Sequence, residues 1–256
     1  MRTIIWFIYF WLYLIMIYPK QRYFEKRKKA GFNDLEGINQ VVQDWAARLL
    51  RMAGVTCTVK GLENIPKDQA VLFTSNHQGY FDIPLMITRL DKTNPLVAKN
   101  SIEKIPFISN WMKLFDCLFL DRENARQSVR VFGEAENLIR QGRSVIIFPE
   151  GTRSRKDEAG EFKEGAFKIA LITGVPIVPV AIDGSYRAME ANGMWIHPAD
   201  VRITVLPPID PASLSREEIK HLGVSVRSQI MECNQNPNPD EGRHDKLFAD
   251  VAAKIK

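Results

Sequence analysis

Cysteine is scarce in this chain of 256 residues: Cys57, Cys117 and Cys233 are odd in number, far apart and without CxxC spacing. They support neither a disulfide framework nor a cysteine zinc site, and they fit a reducing compartment. Histidine is scarce too, with His77, His197, His221 and His244 clustered with no cysteine, so a metal centre has little to build on. There is no GxxxxGK phosphate loop, no GxGxxG after a strand, no HExxH and no GxSxG nucleophile elbow. The mechanisms that depend on those motifs are thereby set aside. Repeats, low-complexity tracts, RNA-binding aromatic patterns and DNA-reading motifs are missing as well. The 15 glycines and 14 prolines are scattered through a chain that is 45% apolar and 25% charged, which excludes a collagenous or disordered protein. What remains is a globular protein large enough for one sizeable domain, or one domain with an appendage.

The charge balance of 35 Lys+Arg against 30 Asp+Glu, a net +5, favours anionic partners without naming them. Its distribution is more informative. Residues 4–18 (IIWFIYFWLYLIMIY) carry no charge, and residues 20–29 follow with six Lys/Arg and a single Glu. At 1.5 Å per residue the apolar run reaches only about 22 Å, short of a hydrocarbon core of roughly 30 Å, which favours a shallow or re-entrant insertion over a simple span. A cleaved signal peptide fits poorly, because Tyr18-Pro19-Lys20 offers no small-x-small site and the cations lie on the wrong side. The basic cluster suits anionic headgroups on the cytoplasmic side, against the alternative of a merely solvated face. Next, Asn33 and Glu36 resemble a capping pair, and Ile38, Val41, Val42, Trp45, Leu49 and Met52 recur at helical spacing before Gly54. That amphipathic helix either completes a membrane-associated hairpin with the first run or packs on its own domain, and periodicity alone does not separate the two.

Beyond Gly54, short apolar runs alternate with helical patterns, the signature of an α/β domain with a partly parallel sheet. Strands are expected at 55–59, 70–74, 96–98, 117–120, 144–148, 177–182 and 202–205. Helices are expected at 123–141, at 165–172 and, as a surface helix, at 213–231. The resulting layout is an N-terminal membrane-associated two-helix motif over 1–54, a mixed sheet flanked by helices over 55–233, and a polar segment with a short helix over 234–256.

Two strand ends carry chemistry. The stretch VLFTSNHQGYFDIP places Asn76, His77 and Asp82 after a buried strand, with Pro84 suited to the first turn of a helix. Ligand crevices of open α/β sheets lie at such carboxyl ends, and a loop lets a His and an Asp five positions apart fold together. A neutral His held by a carboxylate is a general base near neutral pH; the competing reading is a structural His with Asp82 as a plain helix N-cap. The second end, SVIIF followed by Pro149, Glu150, Gly151, Thr152 and Arg153, suits anion recognition through backbone N–H groups and a guanidinium fork. Glu150 is placed to orient that Arg or pair with another cation, although a Glu-Arg turn by itself is as readily a structural ion pair.

Taken together, NHQGYFD, AKNSIEKIPF, FLDR, FPEGTRS and VPIVPV, in this order, resemble the sequence blocks of the glycerolipid acyltransferase family, with bacterial 1-acylglycerol-3-phosphate acyltransferases nearest. The resemblance spans roughly residues 55–206 and extends to the N-terminal membrane hairpin. It implies that His77 is the base and Asp82 its orienting partner. It also implies that Arg153 and Lys99 recognise the acceptor phosphate in a pocket shaped by Glu150, Gly151 and Thr152, with Arg122 a further candidate or else a structural ion pair. The implied reaction moves a fatty acyl group from acyl-CoA or acyl-carrier protein to 1-acylglycerol 3-phosphate, giving phosphatidic acid. The resemblance implies no metal or prosthetic group and no nucleic acid, and an enzyme expected at the cell membrane, monotopic or held by a single N-terminal anchor, with its catalytic domain on the cytoplasmic side. Glycerol 3-phosphate or another lysophospholipid such as a lyso-ornithine lipid is the alternative acceptor; a non-catalytic binder of anionic lipid, and a thioester hydrolase, are the other classes. The chain departs from the family at Gly79, where many members have Ser, and at Ser109, where Gly is usual.

Overall fold

The apolar runs form strands β1 (Val55–Lys60), β2 (Leu72–Ser75), β3 (Val97–Lys99), β4 (Leu118–Leu120), β5 (Val145–Ile147), β6 (Ile177–Asp183) and β7 (Ala199–Val205) in a computed structural model that describes residues 1–90, 94–121 and 123–236. The main sheet has the order β1-β7-β6-β2-β5, and β3 pairs with β4 beside it. A parallel bridge between Leu96 and Ile146 joins the two. β2 runs parallel to β5 and β6, while β7 is antiparallel to β6 and parallel to β1, so the sheet is mixed, as its alternation with helices implied. The carboxyl ends of β2, β3, β4, β5 and β6 therefore share one edge. β7 starts three residues before the expected 202, because Ala199, Val201, Ile203 and Val205 face inward in strict alternation with more exposed neighbours, a half-buried pattern rather than a continuous apolar run.

Side-chain alternation sends the two faces of each central strand into different cores. Phe73, Ile146, Val178, Val180 and Ile182 pack with the N-terminal helices, while Leu72, Val145, Ile147, Ile177 and Ala181 pack on the other face. That second face is covered by α6 (Ala125–Arg140), α7 (Lys168–Thr173) and α9 (Leu222–Gln235). The surface helix expected at 213–231 is in fact divided into α8 (Arg216–Lys220) and α9 at His221, and α9 buries Leu222, Val226 and Ile230. Close approach explains the break: Gly223 donates its N–H to Glu164, and a Cβ there would stand 2.7 Å from the Phe162 carbonyl oxygen. Of the polar segment expected at 234–256, residues 237–256 lie outside the described residues.

The first 54 residues form three helices rather than two: α1 (Arg2–Met16), α2 (Tyr18–Lys29) and α3 (Leu35–Ala53). The cap of α3 is Asp34, which accepts the Gly37 N–H at 3.0 Å, in place of the expected Asn33–Glu36 pair. Gly54, at φ +76°, ends the helix in the left-handed region that a side chain would strain. One face of α1 docks on the body of the protein. The Trp6 indole N–H donates to the Leu49 carbonyl at 2.9 Å, and its ring meets Phe81 of the loop before α4 (Asp82–Arg89) with centroids 5.7 Å apart. The opposite face leaves Ile4, Ile5, Phe7, Ile8, Leu12 and Ile15 exposed. In the basic helix α2, Lys28 turns inward, donating to the Lys113 and Leu114 carbonyls at the end of α5 (Ile108–Leu114) and pairing with Asp116 at 2.6 Å. Among the described residues no single helix is long and apolar enough to cross a membrane; α1 and α2 are so only as a pair, bent by 45°.

The two faces of α1 predict opposite responses. Trp6, 8% exposed, should cost about 3 kcal/mol or more on replacement by Ala, whereas Phe7, 42% exposed, should cost less than about 0.5 kcal/mol, as read from denaturant melts in detergent.

Candidate active site

The loop after β2 is positioned by buried polar side chains. Asn76 exchanges hydrogen bonds with the backbone of Ile182, accepting its N–H and donating to its carbonyl at 2.8 Å each, and so extends the β2–β6 pairing by side chain where the ladder ends. The His77 N–H donates to Glu150 Oε1 at 2.6 Å, and its carbonyl accepts the Ser154 N–H at 2.7 Å. The loops after β2 and β5 are thereby tied together. The His77 ring lies on Phe148, with centroids 4.2 Å apart and planes 24° from parallel, and its Nδ1 is 2.6 Å from Asp82 Oδ2. Those contacts fix the ring plane and commit Nδ1, leaving Nε2 for a ligand on a side chain that is 18% exposed.

Asp82 is fully buried, and its carboxylate is not a helix cap. It is the first residue of α4, whose N-cap is Phe81, and its oxygens accept from His77, from the Gly79 N–H at 2.9 Å and from the Ser185 hydroxyl. Ser185 follows the end of β6, and its N–H donates to Gln78 Oε1 at 3.1 Å. Neither Ser185 nor Gln78 was singled out from the sequence. The signal for Ser185 was its place at a strand's carboxyl end, the same feature that marked His77.

Glu150 has other partners than those expected of it. Rather than orienting Arg153 or pairing with a cation, it is buried and accepts two backbone N–H groups, from His77 and from Gly160 at 2.8 Å. Burial pushes its carboxyl above the ordinary range, opposed by those N–H donors. Arg153 pairs instead with Glu190 Oε1, at 3.2 Å, and its guanidinium lies 3.5 Å from the centroid of the Tyr80 ring. Burial raises the Glu190 carboxyl as well. Gly151, at φ +72°, turns the chain between Glu150 and Arg153, and Thr152 is exposed beside it. Lys99 is exposed at the end of β3, three residues beyond the Leu96–Ile146 bridge as Pro149 is, on the same sheet edge. Arg122 lies outside the described residues. Tyr80 and Glu190 went unassigned in the sequence; Glu190 sits in an irregular segment without any local pattern.

A histidine whose ring is oriented by a buried carboxylate, next to an arginine at a sheet's carboxyl edge, equips this crevice for proton transfer beside a bound anion. The sequence model of the acyltransferase family matches residues 56–183, half of the chain, and the protein belongs to that family. It is 34% identical to the 1-acyl-sn-glycerol-3-phosphate acyltransferase of Borreliella burgdorferi over 71% of this chain and 73% of the relative. Identity to the probable 1-acyl-sn-glycerol-3-phosphate acyltransferase of Mycoplasma pneumoniae is 40%, over 56% of this chain and 55% of the relative. Among solved structures, the 1-acyl-sn-glycerophosphate acyltransferase PlsC of Thermotoga maritima superposes with a TM-score of 0.70 at 29% identity, covering 91% of this chain and 97% of that one.

The placement of Glu150 yields a pH prediction. A carboxyl whose pKa is raised on folding holds its proton more tightly in the folded state, so its contribution to stability is fullest below its ordinary value of 4.5 and is lost as pH rises through the raised value. Glu150→Gln should remove that component while setting an amide donor against a buried N–H, at a cost of about 1–3 kcal/mol. Melting temperatures across about pH 4 to 7 should show the deficit largest at the acid end.

Proposed function

We propose that this protein transfers a fatty acyl group from acyl-CoA or acyl-carrier protein to the free hydroxyl of 1-acylglycerol 3-phosphate, giving phosphatidic acid. The observation that carries the mechanism is the His77–Asp82 contact of 2.6 Å, with Nδ1 committed to a buried carboxylate. Asp82 holds the proton on Nδ1, so Nε2 carries the lone pair and takes the acceptor's hydroxyl proton as its oxygen attacks the thioester carbonyl carbon. The tetrahedral intermediate collapses with cleavage of the carbon–sulfur bond, and the imidazolium returns the proton to the departing thiolate. The products are the ester and the free thiol, and no acyl-enzyme forms. Asp82 stabilises the transient imidazolium, and Ser185 and Gly79 keep its carboxylate aimed by donating to it.

Arg153 is the phosphate contact in this reading, preorganised beside His77 and able to present two N–H groups to a phosphate. Lys99, the last residue of β3, supplies further positive charge on the same edge, while Gly151 and Thr152 shape the turn that presents Arg153. Glu150 acts one step back, through the backbone of the His77 loop.

Both acceptor and acyl chain are lipids, so the exposed apolar face of α1 fits a place in the interface of the cell membrane, with the cations of α2 at anionic headgroups and the catalytic body on the cytoplasmic side. The bent α1–α2 pair suits a monotopic arrangement in one leaflet.

Labelled acyl transfer to 1-acylglycerol 3-phosphate in detergent or vesicles, with both thioester donors, tests the reading. His77→Ala should lower kcat by roughly 10²-fold or more with little change in acceptor KM. Arg153→Ala should instead weaken the phosphorylated acceptor by about 2 kcal/mol or more. Full turnover by His77→Ala would remove the base assignment, and transfer to glycerol 3-phosphate or another lysophospholipid alone would change the acceptor.

A further inference from the structure

Glu190 has no part in the proton transfer, yet its carboxylate is enclosed against Arg153. It opens a short turn (Glu190–Asn192) that follows β6, and its side chain is 1% exposed. Oε1 accepts the Tyr80 N–H at 2.8 Å and the Arg153 guanidinium at 3.2 Å. Oε2 is buried and has no hydrogen-bond partner among the described residues. That oxygen points at Gly79: a Cβ built there would stand 2.5 Å from Oε2 and 2.9 Å from the carboxyl carbon. Any side chain at Gly79 would therefore force Glu190 to move.

We propose that Glu190 is a positioning residue for the acceptor site, clamping Arg153 between its carboxylate and the Tyr80 ring, and that Gly79 is the space this clamp requires. The inference rests on Arg153 as the phosphate contact. A free arginine side chain carries rotamer entropy, which a phosphate would have to offset on binding. Glu190 and Tyr80 offset it in advance. Tyr80 serves twice, since its N–H holds Glu190 and its ring carries the guanidinium. Tyr80 also lies between His77 and Asp82 in the chain, so the clamp ties Arg153 to the loop that carries the base. The turn is itself well held: the Asn192 and Met194 N–H groups donate to the Met189 carbonyl, and the Ile196 N–H donates to Thr3 Oγ1 of α1 at 2.8 Å.

The test is steady-state kinetics of the detergent-solubilised full chain with 1-acylglycerol 3-phosphate and a long-chain acyl-CoA, each varied in turn. Glu190→Ala should raise acceptor KM by about tenfold with donor KM near wild type, the loss of one charge-assisted contact. Glu190→Gln, which keeps an oxygen for Tyr80 and Arg153, should recover most of that loss. In an Arg153→Ala background Glu190→Ala should change acceptor KM no further, because its effect passes through Arg153. Gly79→Ser should reproduce the Glu190→Ala defect alone and add little to it in the double variant. The proposal is overturned if Glu190→Ala leaves acceptor KM unchanged, shifts acceptor and donor KM alike, or adds in full to Arg153→Ala, and equally if Gly79→Ser is silent. An acceptor KM indifferent to Arg153→Ala would instead overturn the phosphate assignment beneath it, with His77-dependent acyl transfer left standing.

Discussion

A carboxylate removed from water is tolerated only when donors converge on it, and Asp82 imposes that demand on everything around it. Its partners come from the imidazole of the β2 loop, the Gly79 backbone and a hydroxyl at the end of β6. Meeting the demand draws the ends of β2 and β6 together and aims the histidine in the same step. Glu150 repeats the arrangement from β5, accepting the backbone N–H of His77 itself. The His77–Asp82 pair is thus one part of a buried polar network that staples three strand ends, in which the carboxylates are met by converging donors.

The N-terminal helices belong to the same construction. Trp6 touches Phe81, the residue before Asp82, and Thr3 accepts the N–H of Ile196, six residues beyond Glu190, so the helix with the exposed apolar face is tied to both segments. Lys28 anchors α2 to the carbonyl end of α5, where a cation opposes the helix dipole. A body resting on a lipid surface through α1 would have Asp82 one residue removed from an anchoring contact.

What was legible in advance depended on range. The strand cores, the helical face from Ile38 to Met52, the Gly54 stop and the placement of His77 after a buried strand all follow from periodicity and short-range chemistry, and they are in the structure. Errors arose where local pattern and tertiary demand differ. Asn33 and Asp34 are both good caps, and it is Asp34 that accepts the Gly37 N–H. The helix expected at 213–231 broke at His221 because Gly223 must approach the Phe162 carbonyl, a contact between segments some sixty residues apart. Sequence proximity pairs Glu150 with Arg153 or another cation, but a buried carboxylate serves whichever donors the fold brings to it, and these are backbone N–H groups.

The sequence by itself determined a mixed α/β body with an apolar and then basic N-terminus, and it determined which side chains could hold a proton or an anion, because hydropathy period and functional-group chemistry are properties of a few neighbouring residues. The tertiary structure alone decided that Ser185 completes the Asp82 cradle, that Glu190 rather than Glu150 faces Arg153, and that α1 braces Phe81. Those pairings join residues 103, 37 and 75 positions apart. Sheet topology and packing decide such meetings, and no local pattern records them.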